Sequence, residues 1–251
     1  MSGRRRSGGM SGRRTAPDHG SPGPGGPCDH GPDADGRRRG EKDVSHHLEM
    51  RTGDLRTVVR LLTAVEPTPE QQRMLGIVRE RCEETDARFR EDGRDGDLPV
   101  RQALDELLAG DFGREADPAY RHAFHALVAC HFSDPTDLGW WRRLSWFSQV
   151  DDELAGLGVP SELRPSSFLF GGTPVPMPHS GDITPSTGVL PAARAAAVAD
   201  AYEAVLPRLT GECAQTVGPL AKALRFEAEE WEGVQGLELG QTPDTIFFWC
   251  G

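Results

Sequence analysis

The chain has no stretch approaching the roughly 18 consecutive apolar residues that a membrane-spanning helix needs. Its paired N-terminal arginines are not followed by an apolar run, so no export signal is read there. Cysteine is sparse: Cys28, Cys82, Cys130, Cys213 and Cys250 are odd in number and scattered, with no C-x-x-C pair. That pattern argues against a disulfide framework and for reduced thiols, so a cytoplasmic location is expected. Also missing are G-x-G-x-x-G, G-x-x-x-x-G-K-[ST], H-E-x-x-H, a G-x-S-x-G elbow and zinc-type Cys/His spacing. Gly171-Gly172 leads into a proline segment instead of a helix N-terminus, which makes it a turn and not a phosphate loop. No cofactor and no metal are expected.

Residues 1–43 lack any aromatic and any aliphatic side chain larger than Ala apart from two Met. Such a segment cannot bury enough apolar surface to offset its ordering entropy, and a disordered Arg/Gly/Pro-rich tail is expected. Removing its nine basic and six acidic residues from the chain's 28 and 39 leaves 19 against 33. Residues 44–251 therefore carry a net −14, which disfavours nucleic acid as a partner of the folded part.

From Val44 onward the pattern is that of one domain. Leu48 and Met50 alternate with Glu49 and Arg51 as in a strand. Asp54 then caps a helix whose stripe is Leu55, Val58, Val59 and Leu62. Thr68-Pro-Glu-Gln71 reads as a capping box opening a helix that buries Met74, Val78, Cys82 and Phe89. Val100 to Leu108 form another helix, closed by Gly110. In Ala119–Phe132 the periodicity aligns Tyr120, Ala123, Phe124, Leu127, Val128 and His131; His122 points away to solvent and His125 falls at the boundary, so no metal site is read. Trp140–Gly158 runs from an aromatic cluster into a helix whose Asp151, Asp152 and Glu153 suit an N-terminal dipole.

The middle of the chain, Phe168–Leu190, holds Pro174, Pro176, Pro178 and Pro185, which exclude helix and predict an extended loop lying against the core through Val175 and Met177. Ser186 or Thr187 is read as the N-cap of the Ala-rich helix that follows, Pro191–Leu209. A last helix over Val217–Trp231 has Glu227, Glu229, Glu230 and Glu232 as a solvated face. Thr245–Cys250, apolar and aromatic, is a strand that needs a partner, with Val44–Arg51 and Ser167–Phe170 as candidates. The fold class is α+β: a mainly helical single domain, 44–251, with helices on one face of a small sheet that pairs the N- and C-terminal strands.

No group of side chains converges by spacing into a recognisable catalytic set. An acidic domain of this kind suits a non-catalytic protein-interaction role, of immunity or regulatory type, with Trp140, Trp141 and Trp146 as anchors for a protein partner. The alternative is a small-molecule-binding protein or enzyme whose pocket is closed by the 168–190 loop. There His179 and Asp182 are the candidate catalytic pair, the imidazole as general base and the carboxylate orienting it.

The order of features also resembles an uncharacterised bacterial family known only as a domain of unknown function. The resemblance spans about Ser45–Gly251. It rests on a strand running into an Asp-Leu helix (Leu48–Leu55), a tyrosine-and-histidine helix (Ala119–His131), WFSQVDDELAGLGV, SSFLFGGTPVPMP and an aromatic C-terminal strand (Ile246–Trp249). The resemblance implies no activity and carries over no catalytic residue.

Overall fold

The computed structural model describes residues 46–94, 96–113, 117–141, 144–178, 185–238 and 240–251. Its centre is a four-stranded antiparallel sheet of β1 (His46–Gly53), β2 (Thr136–Trp141), β3 (Ser186–Pro191) and β4 (Thr245–Cys250), in the order β2-β1-β4-β3. The N- and C-terminal strands lie side by side, with Leu48 opposite Cys250 and Met50 opposite Phe248. The tail, residues 1–43, lies outside the described residues.

Helices cover both faces of this sheet, where one covered face was expected. Side chains of a strand alternate between faces. Leu48, Met50, Leu190, Ile246, Phe248 and Cys250 pack on one side against α5 (Leu144–Gly156), α6 (Ser166–Leu169), α7 (Ala195–Val205) and α8 (Gly211–Val234). Val189, Phe247 and Trp249 pack on the other against α1 (Leu55–Leu62), α2 (Pro69–Glu91), α3 (Val100–Ala109) and α4 (Pro118–His131). The double coverage explains why Thr245–Cys250 is apolar at consecutive positions: every residue of β4 is buried.

Local signals set the helix starts. Asp54 accepts from Arg56 N, and the Thr68 capping box makes both of its hydrogen bonds with Gln71. Asp117 caps α4 through Ala119 N with Pro118 in its first turn, and Gly110 ends α3 at φ 66°. The acidic triplet Asp151–Glu153 is not at a helix start, because α5 begins at Leu144; Asp151 instead accepts from Ser166 N at 3.3 Å, tying α5 to α6.

Two readings of the central segment change. Ser167–Phe170 is not a strand: Pro165 opens a single helical turn that buries Phe168 and Leu169. The second neighbour of β4 is β3, so Ser186 and Thr187 are strand residues and not helix caps. α6 crosses β3 so closely at Gly188 that a Cβ there would lie 1.8 Å from Phe168 O. Of the loop, Val175 and Met177 pack against the α1–α4 side as expected.

Candidate functional site

The alternation that marks β1 as a strand puts Glu49 and Arg51 on the face opposite Leu48 and Met50. Because α2 and α4 cover that face, both charged residues are only 9 % exposed. A buried charge must be paired, and here the pairing is mutual. Arg51 donates through Nε to Glu49 Oε1 at 3.1 Å and through Nη1 to Ser133 O at 3.1 Å. His125, from α4, lies 2.6 Å from the same Glu49 oxygen through Nε2.

Burial works against the ionised form of Glu49, but the hydrogen bond and charge of His125, then those of Arg51, outweigh it and hold the carboxyl at about 2. Glu49 is therefore an acceptor, and Nε2 of His125 is the nitrogen that carries the proton. Nδ1 of His125 makes no hydrogen bond among the described residues. A carboxylate that fixes one imidazole nitrogen leaves the other able to hydrogen-bond a bound molecule.

The imidazoles of α4 are held by β4. His125 stacks on Trp249 with centroids 4.2 Å apart and planes 22° from parallel. His122 meets Trp249 edge-on at 5.2 Å and Phe89 of α2 at 4.9 Å. The solvated His122 expected from periodicity is thus corrected: burial, then the nearby His125, Arg94 and Arg88, pull its pKa down to about 3 and keep it neutral. The helical wheel registers only the packing of α4 on its apolar stripe; it cannot see that α2 closes over the next 100°.

Above this network, between α2 and α4, is a groove of about 430 Å³ lined by Arg51, Arg81, Glu84, Arg88, His125 and Trp249 among others. Arg81 and Arg88 are exposed and two turns apart on α2, so both point to the groove. Arg88 has no ion-pair partner among the described residues, and Arg81 reaches only Ala129 O, at 3.5 Å. His122 also lines a second cavity of about 350 Å³, on the side of Phe89, Leu98 and Pro118.

The model of the family described as a domain of unknown function, DUF7691, matches residues 44–250. The chain belongs to this family. Neither a curated protein nor a solved structure matches it.

Of the candidate anchors in the DUF7691 domain, Trp140 and Trp146 come together and line a surface cavity of about 260 Å³ with Glu212 and Thr216. Trp140, on β2, is 71 % exposed and rests on His47, centroids 5.2 Å apart. Trp146, on α5, donates from Nε1 to Thr216 Oγ1 at 3.1 Å. Trp141 belongs to β2, and its side chain is outside what is described. His179 and Asp182 likewise lie outside the described residues. Among those residues no cluster of His, Cys, Asp or Glu is placed to hold a metal ion, and no helix is long and apolar enough to cross a membrane.

Sequence reasoning missed Glu49, Arg51 and the Arg81/Arg88 pair, and it put Glu227 on a solvated face although it is 8 % exposed. The signals were present. A C-terminal strand apolar at five consecutive positions, Ile246–Cys250, requires both sheet faces to be covered, which buries Glu49 and Arg51. Glu227 follows Leu224 by three residues and Leu220 by seven, on the buried stripe of α8.

Proposed function

We propose that the DUF7691 domain binds a small molecule bearing a phosphate or carboxylate group in the groove between α2 and α4. The observation that carries this reading is Arg88, with Arg81 beside it, free of a carboxylate partner in a region whose net charge is −14. Other exposed cations, Arg60, Arg73 and Lys222 among them, also lack an ion pair among the described residues; what distinguishes Arg81 and Arg88 is that they line one groove. Here they converge on a groove floored by an aromatic ring and an oriented imidazole. Arg81 and Arg88 would take the anionic group, Trp249 and His122 the flat or apolar body, and His125 Nδ1 a polar group of the ligand.

Calorimetric titration of the full chain with inorganic phosphate, a nucleoside monophosphate and a dicarboxylate tests this. One class is expected to bind in the micromolar to millimolar range, more weakly as salt rises. The Arg81→Ala/Arg88→Ala double variant should lose at least about tenfold in affinity. Unchanged affinity in the double variant, or no binding by any probe, overturns the reading. A protein-interaction role is supported by a different observation, the exposed Trp140 beside the Trp146 cavity. It predicts a captured partner that Trp140→Ala no longer retains.

A further inference from the structure

On the other side of β1, where α8 passes the end of the strand, lies a cavity of about 290 Å³. Its charged lining is of one sign: Glu227 and Glu230 from α8, and Asp134 from the segment leading into β2. No Arg, Lys or His lines it. None of the three carboxylates has an ion-pair partner among the described residues. Two of them, Glu230 and Asp134, are exposed and need no partner. Glu227 is different, because it is 8 % exposed and still faces the cavity.

The hydroxyl of Thr52 sits beside Glu227 and favours its charged form, but no hydrogen bond of normal geometry joins them, and Thr52 Oγ1 is itself buried without a partner. Burial pushes the Glu227 carboxyl up, and Glu230 adds to the shift. A buried carboxylate without a cation is costly, as is a buried hydroxyl without a hydrogen bond. Thr52 Oγ1 is shut off from the cavity, so the group left for a bound cation that donates hydrogen bonds is the Glu227 carboxylate.

The rest of the lining selects the kind of cation. Phe226 and Trp231 present aromatic surface, which attracts an organic cation over its ring faces. The hydroxyl residues Ser133 and Thr136 add acceptors for N–H groups. The carboxylates are not grouped closely enough to hold a metal ion. We propose that this cavity is a binding site for a small organic amine, its primary ammonium group on the Glu227 carboxylate and its hydrocarbon portion against Trp231.

The test is calorimetric titration of the full chain with benzylamine, agmatine and tetramethylammonium, with calcium as the inorganic control. A primary amine is expected to bind more tightly than tetramethylammonium, which has no N–H to donate, and calcium is expected not to bind. Glu227→Gln keeps the shape of the side chain and should weaken amine binding at least about tenfold. Acidification should weaken it too, as Glu227, Glu230 and Asp134 take up protons. Amines that bind the parent and Glu227→Gln equally overturn the proposal, as does the absence of binding at millimolar concentration or calcium binding in place of amines. If Glu227→Gln does not fold, the same criterion passes to Glu230→Gln, whose side chain is exposed.

Discussion

On the α2/α4 side of the sheet, Glu49 lies between His125 and Arg51 with its charge compensated; on the α8 side, Glu227 is as deeply buried with no cation beside it. The two glutamates hang from or face the same strand, yet their carboxyls are shifted in opposite directions. Burial alone pushes a carboxyl up. What separates the two is whether a partner stands beside the carboxyl: Arg51 and His125 flank Glu49, and no cation flanks Glu227 among the described residues. The faces also differ in packing. Around β3 the α5–α8 side is tight enough to exclude a methyl group at Gly188, whereas the α1–α4 side leaves a groove of about 430 Å³ beside Trp249.

The largest expected effect breaks the tight side. Gly188→Ala drives a Cβ into the backbone of α6, at Phe168 O and Leu169 C, and neither can move without displacing β3. A loss of about 3 kcal/mol or more is expected in urea denaturation, up to loss of the cooperative transition. Next is Glu49→Ala, which strands Arg51 and His125 and should cost about 3 kcal/mol in the same measurement. The sign of its pH dependence is set by the depressed carboxyl. The contribution of Glu49 is complete above its ordinary 4.5 and is lost as pH falls towards about 2, so the variant should show a flatter acid limb.

His122 sharpens the comparison at milder pH. A histidine held neutral stabilises fully above its ordinary 6.5 and progressively less as pH falls towards about 3. Between pH 6.5 and 4.5 the parent should lose stability by up to about 1.4 kcal/mol per pH unit. His122→Phe, which keeps the edge contacts to Phe89 and Trp249, should remove that slope in thermal scans across this range. Glu227→Gln should act in the opposite direction to Glu49→Ala. A carboxyl raised in the folded state stabilises below 4.5 and penalises the fold as pH rises through its shifted value, so the variant should melt about 2 °C higher at neutral pH. The smallest effect is Arg88→Ala, an exposed change expected within about 0.5 kcal/mol of the parent, so that any change in ligand affinity reports on the groove and not on stability.

Much of the architecture was legible because it depends on short-range chemistry. The Asp54 and Asp117 N-caps, the Thr68–Gln71 box and the Gly110 stop act within a turn of backbone, and a turn of sequence suffices to read them. The pairing of β1 with β4 followed from the need of an apolar strand for a backbone partner. β2 was not legible. Thr136–Trp141 carries a glycine at φ 95° and a register shift opposite His47–Glu49, so no clean alternation marks it. β3 was hidden among the small and polar residues Ser186, Thr187 and Gly188, whose role as a strand is set by α6 lying on them.

The candidate site was legible only indirectly, through the apolar run of β4. Glu49 and Arg51 follow the alternation of a half-exposed strand, and His122 and His125 lie off the apolar stripe of α4; each pattern by itself describes a solvated side chain. By itself the sequence determined the starts of α1, α2 and α4 and the end of α3, that Thr245–Cys250 must pair with a strand, and that the chain belongs with its family over residues 44–250. Only the tertiary structure decided that α2 and α4 close over the polar side of β1. That closure turns Glu49, Arg51 and His125 from surface charges into a compensated buried network, because desolvation depends on what packs above a residue and periodicity records only the element that carries it.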